Sequence, residues 1–397
     1  MGSRLALPVR SSNALTARWT TTFADDDAVV SGAGAWPLLA VLAGAAQGAA
    51  RGELTAAVGV SAESAHAAGL ALLRSLDSSA EIAVATGAWV RPGITLRDAW
   101  VRSMPAGTAG TLLDRAALDA WASERTGGLI EKFPVTVDAS TAFALATALV
   151  ARTRWVRPFQ LIRWSPESGP WQGHQGPGLS RRSHADGSVT VLGGDVTRVI
   201  VTGTGDLDVH LLIGTQGPRQ ALAVGLAALD DENSAPGTPT PDTTAPCLTV
   251  TRCKTFGGDS VDLQLPPFEV RSAHDLTDHP QLFGLAAASS VESARLPGIS
   301  DYPLAVSTAG QHVMARFDAA GFEAAAITAV AMRTGSAPVE RWATVTAVHI
   351  DRPFGFLAVH RPTGTAVVAG QVTRPPREWD SPSPADATAR PASGGAR

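Results

Sequence analysis

The sequence predicts an α+β fold, with helices early in the chain and mixed sheet late. Three observations carry the prediction. Apolar residues recur at three-and-four spacing in the first segments, period-two alternation governs the last ones, and strands and helices never alternate regularly as a doubly wound parallel sheet requires.

Trp36–Leu54 and Ala65–Leu76 carry the helical spacing, the second with Ser61, Glu63 and Ser64 as a start signal. Glu81–Val90 alternates, placing Ile82, Val84, Thr86, Ala88 and Val90 on one face of a half-buried strand. Asp114–Phe133 reads as a helical block broken at Gly127-Gly128. Thr141–Trp155 is Ala-rich, and period alone leaves helix and strand both open.

From Trp164 to Gly187 the residues are mainly Gly, Pro, Ser and Arg without periodicity, so surface loop with short strands at most is expected. Thr197–Val201 and Leu207–Ile213 flank Gly203-Thr204-Gly205-Asp206, a hairpin signal. Arg219–Asp230 is a short helix and Glu232–Pro246 a Pro/Thr loop. Alternation returns at Val261, Leu263 and Leu265, in Val345–Ile350, and in Phe354–His360 and Thr365–Val372 on either side of Arg361-Pro362-Thr363-Gly364. With no internal repeat and no earlier linker, residues 1–376 read as one domain and residues 377–397 as a disordered tail.

Composition excludes several function classes. The 397 residues are 45% hydrophobic and 17% charged with a net charge of −4, the profile of a folded globular protein. No run of like charge gives a nucleic-acid footprint. Met1–Phe23 lacks a secretory pattern, and Trp36–Ala50 is too short for a membrane span and reads as a core helix. By sequence alone this reads as cytoplasmic, and the compartment stays open. Of 32 basic residues only Lys132 and Lys254 are lysine, from which a GC-rich bacterial, actinobacterial source is inferred.

Cys247 and Cys253, six apart with no histidine at ligand spacing, read as two reduced thiols. No dinucleotide fingerprint, phosphate loop, His-Glu-x-x-His or Gly-x-Ser-x-Gly occurs, so neither enzyme nor cofactor is expected. The nine histidines are scattered. Asp25-Asp26-Asp27 and Asp230-Asp231 read as solvated turns or helix starts.

One segment stands out. Gly321-Phe322-Glu323-Ala324-Ala325-Ala326-Ile327-Thr328-Ala329-Val330 lies between two sheet-like regions and, taken alone, also suits an Ala-rich helix. As a strand it would turn Phe322, Ala324, Ala326, Thr328 and Val330 to one face, none of them charged and none proline, with Glu323 on the other. Met332-Arg333-Thr334-Gly335-Ser336-Ala337-Pro338 follows, an exposed stretch offering a protease an apolar or basic side chain.

The first of these segments resembles the serpin hinge, Gly-Thr-Glu-Ala-Ala-Ala-x-Thr, and further matches keep family order over residues 13–374. Asp351-Arg352-Pro353-Phe354-Gly355-Phe356 is similar to Asp-Arg-Pro-Phe-x-Phe, and Thr363-Gly364 with Gly370-Gln371-Val372 to the Thr-Gly…Gly-x-Val ending. Pro297-Gly298-Ile299-Ser300 with Leu304 and Val306-Ser307, Leu265-Pro266-Pro267-Phe268, Asp275-Leu276 with Leu282-Phe283-Gly284, and Arg154-Trp155 with Pro158-Phe159 match other family segments.

The resemblance implies three β-sheets, about eight or nine helices and an exposed reactive-centre loop at roughly 319–342. It implies a monomer that traps a serine protease, with the cleaved loop entering the central sheet as a new strand. A non-inhibitory serpin serving in binding or storage is the alternative. The hinge would be Gly321, Phe322, Glu323, Ala324, Ala325, Ala326 and Thr328, and Ser31, Thr147 and His312 would form the sheet-opening region. The chain departs from the family pattern at Thr147, usually asparagine, at Phe322, usually small, at Ala319, usually acidic, and in a longer primed side of the loop. Family spacing puts the scissile bond near Gly335-Ser336. Trypsin-like chemistry favours the bond after Arg333, before Thr334, while Met332 and Arg341 stay open.

Overall fold

The computed structural model describes residues 6–112, 114–128, 131–133, 137–138, 141–230, 238–322 and 340–376. Helix α1 (Leu7–Thr20), with a proline in its first turn, precedes the short strand β1 (Ala28–Val30). The helix predicted over 36–54 is two. α2 (Gly32–Ala45) ends at an extended Ala46, and α3 (Gly48–Val58) begins after an extended Gln47 whose N–H donates to the Arg295 carbonyl at 2.8 Å. α2 is apolar on every side and buried but for Gly44, as a central core helix must be. α4 (Ala62–Asp77) crosses it closely at Gly69, where a Cβ would lie 2.8 Å from the Pro37 carbonyl.

Next come β2 (Ile82–Val90), α5 (Asp98–Ser103), β3 (Ala109–Thr111) and α6 (Arg115–Thr126). Asp114 caps α6 by accepting from the Ala117 N–H, and Gly127 ends it at a left-handed φ of 62°. The Ala-rich segment resolves as β4 (Phe143–Ala151), buried on both faces, which removes the alternation that would have marked it as a strand. β5 (Thr153–Arg154) continues it.

The stretch expected to be loop with short strands at most contains a nine-residue strand. After β6 (Gln160–Trp164), β7 (Gly176–His184) pairs with it antiparallel. A Gly- and Arg-rich strand half open to solvent lacks the apolar alternation on which sequence reading depends. β8 (Val189–Leu192), β9 (Val196–Thr202), β10 (Leu207–Gly214) and α7 (Pro218–Asp230) follow, with β9 and β10 forming the predicted hairpin.

The remaining elements are β11 (Leu248–Thr255), β12 (Ser260–Leu265), β13 (Phe268–Asp275), a 3-10 turn at Leu276–Asp278, α8 (Pro280–Phe283), α9 (Ala286–Ser289) and β14 (Thr308–Phe317). β15 (Gly321–Phe322), β16 (Arg341–His349), β17 (Phe354–His360) and β18 (Thr365–Val372) complete the fold.

Three sheets result. One is six-stranded, β1-β18-β17-β10-β9-β8, and one five-stranded, β11-β16-β12-β7-β6. The third has seven strands, β3-β2-β4-β14-β15-β5, with β13 also on β14. β13 runs along one side of β14; on the other side β4 pairs with β14 in parallel from Thr308 to Val313, and β15 takes over at Phe317. Among the described residues no single helix is long and apolar enough to cross a membrane.

Candidate functional site

The site begins where β14 reverses into β15. Asp318 makes that reversal tight. Its carboxylate accepts from the Ala320 and Gly321 N–H groups at 2.8 and 3.0 Å, and its own N–H donates to the Gly321 carbonyl at 3.0 Å. The turn is seated on the segment after β5. Trp155 donates its indole N–H to the Asp318 carbonyl at 2.9 Å, and the backbone N–H groups of Trp155 and Phe159 donate to Ala320 and Ala319. Below it Trp155, Phe159 and Phe268 surround Phe317, with ring centroids 4.6, 5.6 and 5.3 Å away.

Gly321 and Phe322 therefore lie between two strands. Phe322 pairs antiparallel with Phe317 of β14 and with Thr153 of β5, and it is fully buried. Glu323, Ala324, Ala325, Ala326 and Thr328 of the hinge, and Arg333, Thr334, Gly335 and Ser336 of the scissile region, lie outside the described residues. The chain is described again from Glu340, and β16 starts at Arg341, whose Nε donates to the Gly257 carbonyl at 3.2 Å.

Deeper in the same sheet a buried polar cluster joins α2, β4, β14 and β18. Ser31 caps α2, its hydroxyl accepting from the Gly34 N–H at 3.0 Å and donating to the Val367 carbonyl at 2.6 Å. The Gln311 amide grips the same residue twice, Oε1 accepting from the Ser31 N–H at 2.8 Å and Nε2 donating to the Ser31 carbonyl at 2.9 Å. Nε2 also donates to Thr147 Oγ1 at 3.1 Å. All three residues are fully buried. Gly34 leaves room for them, since a Cβ there would sit 3.1 Å from Gln311 Nε2.

Ser31 and Thr147 are thus brought together, but His312 does not join them. Alternate residues of a strand face opposite ways. Gln311 shares the inward face with Ala309, Val313, Ala315 and Phe317, whereas His312 lies on the other face with Met314 and Arg316, beside an open cavity of about 640 Å³ lined also by Lys132 and Arg271. Burial, and then the charges of Arg115 and His274, lower the pKa of His312. Sequence reading missed Gln311, although the parity of the buried set in 309–317 points to it.

A second, partly buried network centred on the buried Asp351 fastens the far side of β16. Asp351 accepts from Ser168 Oγ at 2.8 Å, Arg352 Nε at 2.8 Å and the Cys247 thiol at 3.2 Å. Burial works to raise the Asp351 pKa, but those donors outweigh it and hold it below the usual carboxylate range. The same burial pushes the Cys247 thiol up to about 12, which keeps it protonated and a donor. Both cysteines are free.

The family profile described as Serpin (serine protease inhibitor) matches residues 11–167 and 249–375. The chain belongs to the serpin family. Serpin-Z2A of Oryza sativa subsp. japonica is 25% identical over 405 residues, 87% of this chain and 91% of its own. Plasminogen activator inhibitor 1 of Sus scrofa is 32% identical over 114 residues, so that the match covers 28% of this chain and only 27% of that relative. Human thyroxine-binding globulin superposes with a TM-score of 0.72 at 16% identity, over 93% of this chain and 97% of its own. Serpin48 of Tenebrio molitor gives 0.70 at 17%, over 93% and 98%. The serpin fold is therefore shown, with its three sheets and, among the described residues, nine α-helices.

Proposed function

We propose that this serpin inhibits serine proteases as a suicide substrate. The loop is cleaved, the protease is held as its acyl-enzyme, and the freed segment enters the sheet between β4 and β14. The observation that carries the reading is the place of β15. It already lies antiparallel to both neighbours, the direction a strand folding back from β14 must take.

The register supports continuation. Gln311 and Thr147 are 164 residues apart, and so are Phe317 and Thr153, the two partners of Phe322. A strand extended from Phe322 without a shift would set Ala324 between Ala315 and Ala151, Ala326 between Val313 and Leu149, and Thr328 between Gln311 and Thr147. Val330 would fall between Ala309 and Leu145. All eight partners are buried. Glu323 would fall on the solvent face between the exposed Arg316 and Arg152, a favourable charge arrangement. Because Phe322 already occupies its slot, its bulk has no path to travel.

The target is read as trypsin-like, with Arg333 preceding the scissile bond. Arg341 is disfavoured because it lies within β16, paired with Thr255, where a protease would have to unravel sheet to reach it. Incubation with trypsin followed by a denaturing gel tests the mechanism. A covalent band at the summed mass is expected, and cleaved protein alone would leave only a substrate. The second reading, a non-inhibitory binding protein, is favoured by the departure at Thr147, and it would give that second result. A monomer of bacterial origin completes the proposal.

A further inference from the structure

The loop rejoins the fold beside a cleft that the trapping mechanism does not use. β11 and β12 are joined by only four residues, Phe256–Asp259, yet they flank β16 rather than each other, β11 antiparallel and β12 parallel to it. The joining residues must cross the start of β16, and two hydrogen bonds fix them there: Arg341 Nε to the Gly257 carbonyl at 3.2 Å and the Thr344 N–H to Asp259 Oδ1 at 2.7 Å. Between this crossing and the end of β7 lies an open cleft of about 830 Å³.

Its walls are basic. Arg157, Arg182, His184 and Lys254 line it, all exposed, and Lys254 is one of two lysines in the chain. Among the described residues none of the four forms an ion pair. Arg182 donates only to the Ser260 hydroxyl at 3.3 Å, and the nearby carboxylates Asp186 and Asp259 pair with none of them. The same corner exposes two large aromatic side chains, Phe256 at 63% and Trp342 at 61%, with the Lys254 ammonium 6.0 Å from the Trp342 ring. Unpaired cations beside exposed aromatics are the composition of a protein-binding patch. A small anion would use the charges and leave the aromatic surface without a purpose.

Position identifies the partner. The loop rejoins the sheet at this crossing, five to eight residues after Arg333–Ser336. At ~3.3–3.6 Å per residue the scissile region lies at most about 30 Å away, the width of a standard protein interface of about 800 Å² per partner. We propose that the cleft, with Phe256 and Trp342, is a docking surface for an acidic face of the protease that attacks the loop. The proposal rests on the loop being a protease target, not on trapping.

Anionic and cationic trypsin share one specificity pocket and differ in surface charge, which makes them the probes. The rate constant for attack on the loop, read as loss of intact chain with the cut mapped to 323–339, is measured for each at low and high salt. Anionic trypsin should react at least about tenfold faster than cationic trypsin at low salt, the scale of electrostatic steering, and the difference should vanish in 1 M NaCl. Arg157→Glu with Lys254→Glu should remove that advantage and leave the rate with cationic trypsin unchanged or higher, with an unaltered melting temperature as control. Phe256→Ser should slow anionic trypsin at high salt too. Equal rates for the two trypsins, or an unchanged anionic rate in the double variant, would overturn the docking surface. Trapping is scored separately by the covalent band, so a protein cut at the predicted rates but never trapping would refute the inhibitor and keep the surface. If neither trypsin cuts the loop, both fall.

Discussion

Gln311 Nε2 meets Thr147 Oγ1 at 3.1 Å across the seam between β14 and β4, while the rest of its amide holds both backbone groups of Ser31. The contact closes the sheet at the place that the proposed entering strand would have to open. Gln311→Leu keeps the volume but strips partners from buried groups, at about 1–3 kcal/mol for each left unsatisfied. Denaturant unfolding should show several kcal/mol lost. Thr147→Val deletes one acceptor while Nε2 keeps the Ser31 carbonyl, so a loss of about 1 kcal/mol or less is expected. Equal losses in the two variants would mean that the amide is not the hub.

Size alone makes Phe322 an obstacle to insertion, but its place in the sheet reverses that expectation. It is fully buried and paired on both sides. Phe322→Ala should destabilise the intact protein by about 3–5 kcal/mol, as a large-to-small core change does. It should also raise the rate of proteolysis at residues 323–339 by freeing the start of the loop. A variant with unchanged melting temperature would show that Phe322 is not docked.

Specificity divides two arginines. Arg333→Ala should abolish attack by trypsin in the loop and leave the melting temperature unchanged, whereas Arg341→Ala should leave attack intact because residue 341 is held in β16. Mass spectrometry of the first cleavage product locates the bond. A first cut within 164–187 would argue that the exposed bait is elsewhere.

Acid should weaken the fold through its histidines. His210 of β10 is buried, and burial first, then the Arg198 charge, lowers its pKa to about 4 from an ordinary value near 6.5. The unfolded chain therefore binds this proton first as pH falls. Above pH ~6.5 both states are neutral and nothing is lost; between ~6.5 and ~4 stability drops by up to 1.36 kcal/mol per unit, roughly 3 kcal/mol in all. His66, His274, His312 and His360 shift in the same direction. Urea midpoints from pH 4 to 7 should fall on acidification, and less steeply in His210→Gln. A flat profile would mean that His210 titrates as freely as in the unfolded chain.

How much of this was legible depended on whether a strand has a wet face or a marked turn beside it. β12 has one partly open face; β17 and β18 are buried throughout but are set off by the turn Arg361-Pro362-Thr363-Gly364, as the β9–β10 hairpin is by its glycine turn. β4 is buried on both sides and reads equally as helix. β7 carries arginines on an open face, and β11, Leu248–Thr255, has mostly exposed side chains beneath no visible pattern. The sequence marks its expected hinge, of which the described residues include Gly321 and Phe322 alone, by small, uncharged residues at every second position. Of the three residues expected around the sheet opening, Ser31 and Thr147 meet in one buried cluster, while strand parity brings Gln311 there in place of its neighbour His312.

The same parity makes Ala326 the sharpest test of trapping. In the proposed inserted strand it would stand between Val313 and Leu149, which are buried at 2% and 1% exposure. A charge there would cost several kcal/mol unless paired, and no carboxylate lies among the partners that the register assigns to the inward face. Ala326→Arg should therefore leave the melting temperature of intact protein nearly unchanged and remove most of the rise that cleavage brings. Thr328→Val should act more mildly, because its hydroxyl would take up the Gln311 and Thr147 groups that insertion separates. Trapping is a race between insertion and deacylation, so Ala326→Arg should also turn covalent band into cleaved product. Calorimetry of intact and cleaved protein decides the matter: if a confirmed cut leaves the wild-type melting temperature unchanged or lower, the strand does not enter and the chain is a serpin of the non-inhibitory kind.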